Sequence, residues 1–135
     1  MGRARILVAE DHEEVRKTIV DLLQRQFEVL AAVGDGPTFL EAFAKLKPDL
    51  CVLDLSMPNM SGIEVAQRVK QSDSQIRIVF LTLHDDFDCK EAALATGAEG
   101  YVTKVRMGGD LLFAVNEVLA GRTFCTLTRD KTSSI

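Results

Sequence analysis

Short apolar runs alternate with amphipathic stretches along the chain. The runs fall at residues 5–9, 27–33, 50–53, 76–81 and 100–103. They are brief and rich in Val, Leu and Ile, the pattern of strands buried on both faces. Between them, apolar positions recur at helical spacing. Val15, Ile19, Leu22 and Leu23 form one stripe, and Leu111, Val115, Val118 and Leu119 form another. Ser61, Gly62, Ile63 and Glu64 read as a capping box that opens a helix. Pro37 suits a first helical turn, and Gly97 and Gly121 fall just past helical stretches. The pattern predicts five strand-then-helix units in an α/β fold. Right-handed crossovers then give a parallel, doubly wound sheet covered by helices on both faces. No internal repeat or second domain is visible. Residues 4–122 form one expected domain, and 123–135 read as a polar tail or a truncated linker.

Composition narrows the function. The chain has 135 residues, 47% hydrophobic and 27% charged, which allows one real core. A formal charge of −4 argues against direct contact with nucleic acid or an anionic membrane. No apolar run approaches the roughly 20 residues that span a bilayer, and the first residues do not read as a signal peptide. Cys51, Cys89 and Cys125 show no metal spacing, and their odd number suggests no disulfide framework. They read as reduced thiols of a cytoplasmic protein, with Cys51 in the core.

The candidate chemistry lies at the strand ends. In parallel α/β sheets, ligands bind beyond the carboxyl ends of the strands. Here the first strand ends in Glu10 and Asp11, the third in Asp54, the fourth in Thr82, and the fifth in Thr103 and Lys104. If the first and third strands are neighbours, three carboxylates meet in one cleft and raise one another's pKa. A hard divalent cation would offset that charge, with Lys104 as a second positive group. Mg²⁺ takes one or two carboxylates and fills other positions with water and phosphate oxygens. No Gly-rich nucleotide loop is present, so a phosphoryl donor fits better than ATP. Each residue also has an ordinary reading. Asp11 could cap the next helix with Glu14 as its partner. Asp54 could be a solvated loop carboxylate, and Lys104 surface charge. His12 reads as structural or surface, and the acids at 85, 86 and 88 as a helix start. Their coincidence at four strand ends favours one phosphoryl-transfer site.

At these residues the chain resembles the response-regulator receiver family over about residues 4–122. The matching motifs are ILVAED at 6–11, VLDLSMPNMSGIE at 52–64, IVFLT at 78–82 and GYVTK at 100–104. The stretches at 81–86 and 112–124 look most like the receivers of NarL/FixJ-type transcriptional regulators. The resemblance implies a flavodoxin-like (βα)5 sheet in the order 2-1-3-4-5. It implies Asp54 as phosphoacceptor for a sensor histidine kinase, with Lys104 and Thr82 contacting the phosphoryl group. It implies Mg²⁺ held by Asp11, Asp54 and the backbone carbonyl of Ser56, with Glu10 acting through water. Thr82 and Tyr101 would be the switch pair, Tyr101 turning inward as Thr82 moves. Ser56, Leu83 and His84 flank the opening and would tune rates. A homodimer through the last helices is expected, and DNA would be met only through an output domain absent from this sequence.

The chain also departs from the family. Val105 follows Lys104 where many receivers have proline, and Gly108 and Gly109 suggest a mobile loop over 105–109. NarL/FixJ-type proteins carry a helix-turn-helix domain after the receiver, so this chain reads as an excised or a stand-alone receiver. A stand-alone form would act by protein–protein contact or as a phosphorelay intermediate. Three other readings fit less well. A haloacid-dehalogenase-type phosphatase needs a second acid two residues after the nucleophile, where Ser56 stands. A flavodoxin-like FMN protein needs a hydroxyl-rich phosphate loop after the first strand. A degenerate receiver would lack members of the set Glu10, Asp11, Asp54, Thr82 and Lys104, and all are present.

Overall fold

A computed structural model describes residues 3–83 and 87–126. Strands and helices alternate: β1 (Arg5–Ala9), α1 (Glu13–Leu23), β2 (Glu28–Val33), α2 (Gly36–Leu46), β3 (Leu50–Asp54), α3 (Gly62–Ser72), β4 (Arg77–Thr82), α4 (Phe87–Leu94), β5 (Gly100–Thr103), a 3-10 turn (Lys104–Arg106), α5 (Met107–Leu119) and β6 (Phe124–Cys125). The sheet is parallel with the order β2-β1-β3-β4-β5-β6. The doubly wound order 2-1-3-4-5 is therefore present, with one more strand at its end.

Side-chain alternation along each strand divides the core in two. Leu7, Leu53, Phe80 and Tyr101 pack with Phe39 of α2, Val65 of α3 and Ala93 of α4. Ile6, Val8, Val52, Leu81 and Val102 point the other way, against Ile19 of α1 and Leu111 and Val115 of α5. β3 lies inside the sheet and is buried along its whole length, as its unbroken apolar run requires. Cys51 is fully buried, as expected.

Local signals set most boundaries. Ser61 Oγ accepts the Glu64 N–H at 3.2 Å and starts α3. Only half of the expected box forms, because the Glu64 carboxylate turns to Arg68 four residues on. Asp35 caps α2 through the Thr38 N–H, ahead of Pro37 in the first turn. Gly97 and Gly121 have φ near +95° and +92°, and close α4 and α5 as expected.

Three local expectations change. The N-cap of α1 is His12 and not Asp11, because the Asp11 carboxylate is engaged with Asp54. The glycine-bearing stretch at 105–109 is a 3-10 turn running directly into α5, with Gly108 and Gly109 in its first turns. The buried stripe Leu111, Val115 and Val118 outweighs the helical cost of two glycines, about 1 kcal/mol each. Finally, Phe124 and Cys125 pair with Gly100 and Tyr101 as β6, inside the stretch expected to be a tail.

Candidate functional site

The carboxyl ends of β1, β3, β4 and β5 converge on a cleft of about 180 Å³, lined by Asp11, His12, Asp54, Ser56, Leu83 and Lys104. Register explains the convergence. Ala9 pairs with Leu53, Asp54 with Leu81, and Thr82 with Thr103, so polar residues that follow the apolar runs emerge side by side.

Glu10 is fully buried. Its Oε2 accepts the His12 N–H at 3.1 Å, and the Lys104 ammonium lies 2.9 Å from Oε1. That second approach is a charge contact outside hydrogen-bond geometry, so Oε1 has no hydrogen-bond donor among the described residues. The Glu10 backbone is fixed as well. Its N–H donates to the Val33 carbonyl, and its carbonyl accepts from Arg16 at 2.8 Å.

Asp54 is 3% exposed. Its Oδ1 accepts the Ser56 N–H at 3.2 Å, and Oδ2 lies 3.4 Å from the Lys104 ammonium. Lys104 thus stands between two buried acids. Burial, a shared hydrogen bond with Asp11 and the Glu10 charge push the Asp54 carboxyl up to about 7, against the pull of Lys104. Asp11 moves the other way. Burial opposes the shift, but the hydrogen bond with Asp54 and nearby positive charge hold its carboxyl below the ordinary range. The pair is thus pushed apart, with the more buried Asp54 raised and Asp11 lowered.

The oxygen-rich donor set of Glu10, Asp11 and Asp54, with Glu10 Oε1 met by the Lys104 charge but by no hydrogen bond among the described residues, fits a hard divalent cation. Atoms of Glu10, Asp11 and His12 able to ligate a metal all lie within 4.8 Å of one another. His12 was not expected at the site; its place directly after two acids was the signal available.

Thr82 is fully buried at the end of β4, and so is Tyr101 on β5. Phe80 pairs with Tyr101, so Thr82, two residues on, shares their side of the sheet. Tyr101 therefore stands in the inward position. Leu83 is 73% exposed at the cleft rim and does not pack away on a helix. His84 lies outside the described residues.

A family model described as the response regulator receiver domain matches residues 6–116. The chain belongs to the response regulator receiver family. The receiver is 34% identical over 123 residues to the oxygen regulatory protein NreC of Staphylococcus haemolyticus, covering 89% of this chain and 57% of that protein. It is 35% identical over 122 residues to the transcriptional activator DevR/DosR of Mycobacterium tuberculosis, covering 88% and 56%. The chain thus spans a little over half the length of these relatives. Among solved structures, a LuxR-family response regulator from Aurantimonas sp. superposes with a TM-score of 0.89 at 29% identity, covering 97% of this chain and 99% of that one. The signal receiver domain of the response regulator NarL from Mycobacterium tuberculosis gives 0.85 at 29% identity, covering 90% and 100%. The flavodoxin-like receiver fold and the likeness to NarL-type regulators expected from the sequence are both present. No helix among the described residues is long and apolar enough to cross a membrane.

Proposed function

We infer that this receiver is a phosphorylation switch that accepts a phosphoryl group on Asp54. The observation that carries the reading is the cleft: a buried carboxylate between Lys104 and two further acids, open to solvent past Leu83. Asp54 is the nucleophile, and the donor is a phosphohistidine of a sensor histidine kinase or a small acyl phosphate. Phosphoryl transfer passes through a loose transition state, so placement and charge are most of what the protein must supply. Lys104 neutralises charge on the phosphoryl oxygens, and the Thr82 hydroxyl donates to one of them. The Ser56 N–H holds the acceptor carboxylate in place. Asp11, Asp54 and the Ser56 carbonyl would hold Mg²⁺, with Glu10 joined through water. The ion would supply positive charge to offset three acids and the incoming phosphate. The product is an aspartyl phosphate that water later hydrolyses.

Thr82 and Tyr101 form the switch, with phosphorylation shifting a pre-existing equilibrium toward inward Tyr101. DevR/DosR is a DNA-binding transcriptional activator, and the two relatives are only partly covered by this chain, which matches 57% and 56% of their lengths. The switch would accordingly control transcription in the cytoplasm through an output domain that meets DNA. Incubation with acetyl phosphate tests the reading. Phosphoryl uptake is expected with Mg²⁺, to stop in EDTA, and to fall sharply in Lys104→Ala. Equal uptake with and without EDTA would overturn it.

A further inference from the structure

Among the described residues, β6 is two residues long and pairs with β5 alone. The Phe124 N–H donates to the Glu99 carbonyl at 3.0 Å, and the Thr126 N–H donates to the Tyr101 carbonyl at 2.9 Å. The Thr126 hydroxyl donates to Asp110 Oδ2 at 3.1 Å, and Asp110 also faces Arg106. The Phe124 ring meets Phe113 of α5 edge-on, with centroids 5.5 Å apart. Cys125 is the register partner of Tyr101 and packs against the same core cluster. Without β6, β5 would be the sheet edge, and a tyrosine there could swing out across it. With β6 docked, that edge is covered and the Tyr101 ring is fully buried.

We propose that residues 124–126 are a latch on Tyr101. Docked, they hold the ring in the core; released, they let it leave. So short an edge strand, held by few bonds among the described residues, belongs to the least stable units of a fold, and local opening costs little. The latch also reads the cleft. Tyr101 and Lys104 are three residues apart on one strand and its exit, and Lys104 contacts both Glu10 and Asp54. This second link rests on the phosphoacceptor reading above. A phosphoryl group that favours inward Tyr101 then favours the docked latch, and the docked latch favours phosphorylation by the same factor.

The chain has one tyrosine and no tryptophan, so tyrosine emission reports Tyr101 alone. Thr126→Pro removes the N–H given to Tyr101 and, with it, the buried hydroxyl's bond to Asp110. The variant is expected to keep its circular dichroism and cooperative unfolding, while acrylamide quenching of the emission rises several-fold. Thr126→Val keeps that N–H and loses only the bond to Asp110, so a smaller rise is expected. A folded Thr126→Pro that quenches like wild type overturns the latch. Should Thr126→Pro not fold, wild-type quenching in Thr126→Val overturns it. Amide exchange tests the link to the cleft. Beryllofluoride with Mg²⁺ is expected to slow exchange at Phe124 and Thr126 by roughly tenfold, an ordinary coupling between two sites. If quenching responds but beryllofluoride leaves exchange unchanged while binding the cleft, the latch stands and its coupling to Asp54 falls. If beryllofluoride does not bind at all, the phosphoacceptor reading fails, and the quenching result still decides the latch.

Discussion

Burial and two neighbouring acids leave Asp54 short of solvation for its charge. In the folded protein its carboxyl rises to about 7, against about 3.9 when unfolded. Between those values the folded state binds more protons than the unfolded one. The group's contribution to stability therefore falls as pH rises through that window and levels off above it. A cation in the cleft favours the carboxylate and reduces the loss. Thermal unfolding in EDTA should accordingly show a decline from pH 4.5 to 7 (roughly the same window) that Mg²⁺ or Asp54→Asn makes shallower. Identical pH profiles for wild type and Asp54→Asn would contradict this. Leu83 is exposed and borders the same cleft, where it would narrow the path of donors and of attacking water. Leu83→Ala is expected to speed both phosphorylation by acetyl phosphate and loss of the phosphoryl group. Unchanged rates would rule out a gate.

At the scale of elements, the start of α3 decides where Asp54 sits. Gly62 donates its N–H to the Leu55 carbonyl at 2.9 Å, folding the loop after β3 back on itself. A Cβ at Gly62 would overlap the Asp54 carbonyl oxygen and lie 3.0 Å from Leu55 Cα. Backbone cannot give way as a side chain can. Gly62→Ala should lower the unfolding free energy by about 1–3 kcal/mol and slow phosphorylation by up to roughly 100-fold, since about 1 Å of displacement has that effect. Wild-type stability and rate would contradict the assignment. The sequence carried this loop in its motif, and Ser61, Pro37, Gly97 and Gly121 marked element ends through rules that act within a few residues. What it did not carry depends on distant partners. Asp11 had two readings, a helix cap or a partner of Asp54, and only the neighbouring β3 decides for the second. Arg77 closes the end of α5 by donating to the Val118 and Leu119 carbonyls, 41 and 42 residues away. β6 is too short for any periodicity and exists because the β5 edge and Phe113 are there to receive it. The cleft was legible because each strand delivers its residue at the same end, a consequence of parallel topology alone.

For the whole molecule, the same topology separates the cleft from the flank of the sheet. The cleft opens at the carboxyl end of the sheet, while α5 and β6 form its flank. Leu112 packs partly against the core. Phe113 remains 55% exposed beside Phe124 and is the apolar group that flank offers. Homodimers through the last helices should appear by sedimentation in the beryllofluoride form and weaken in Phe113→Ser. A strict monomer at high concentration, with and without beryllofluoride, would contradict them. The central claim concerns Asp54 itself. Intact-mass measurement after acetyl phosphate and Mg²⁺ should show a single added phosphoryl group on the wild-type chain and none on Asp54→Asn; equal uptake by the two proteins would contradict the account.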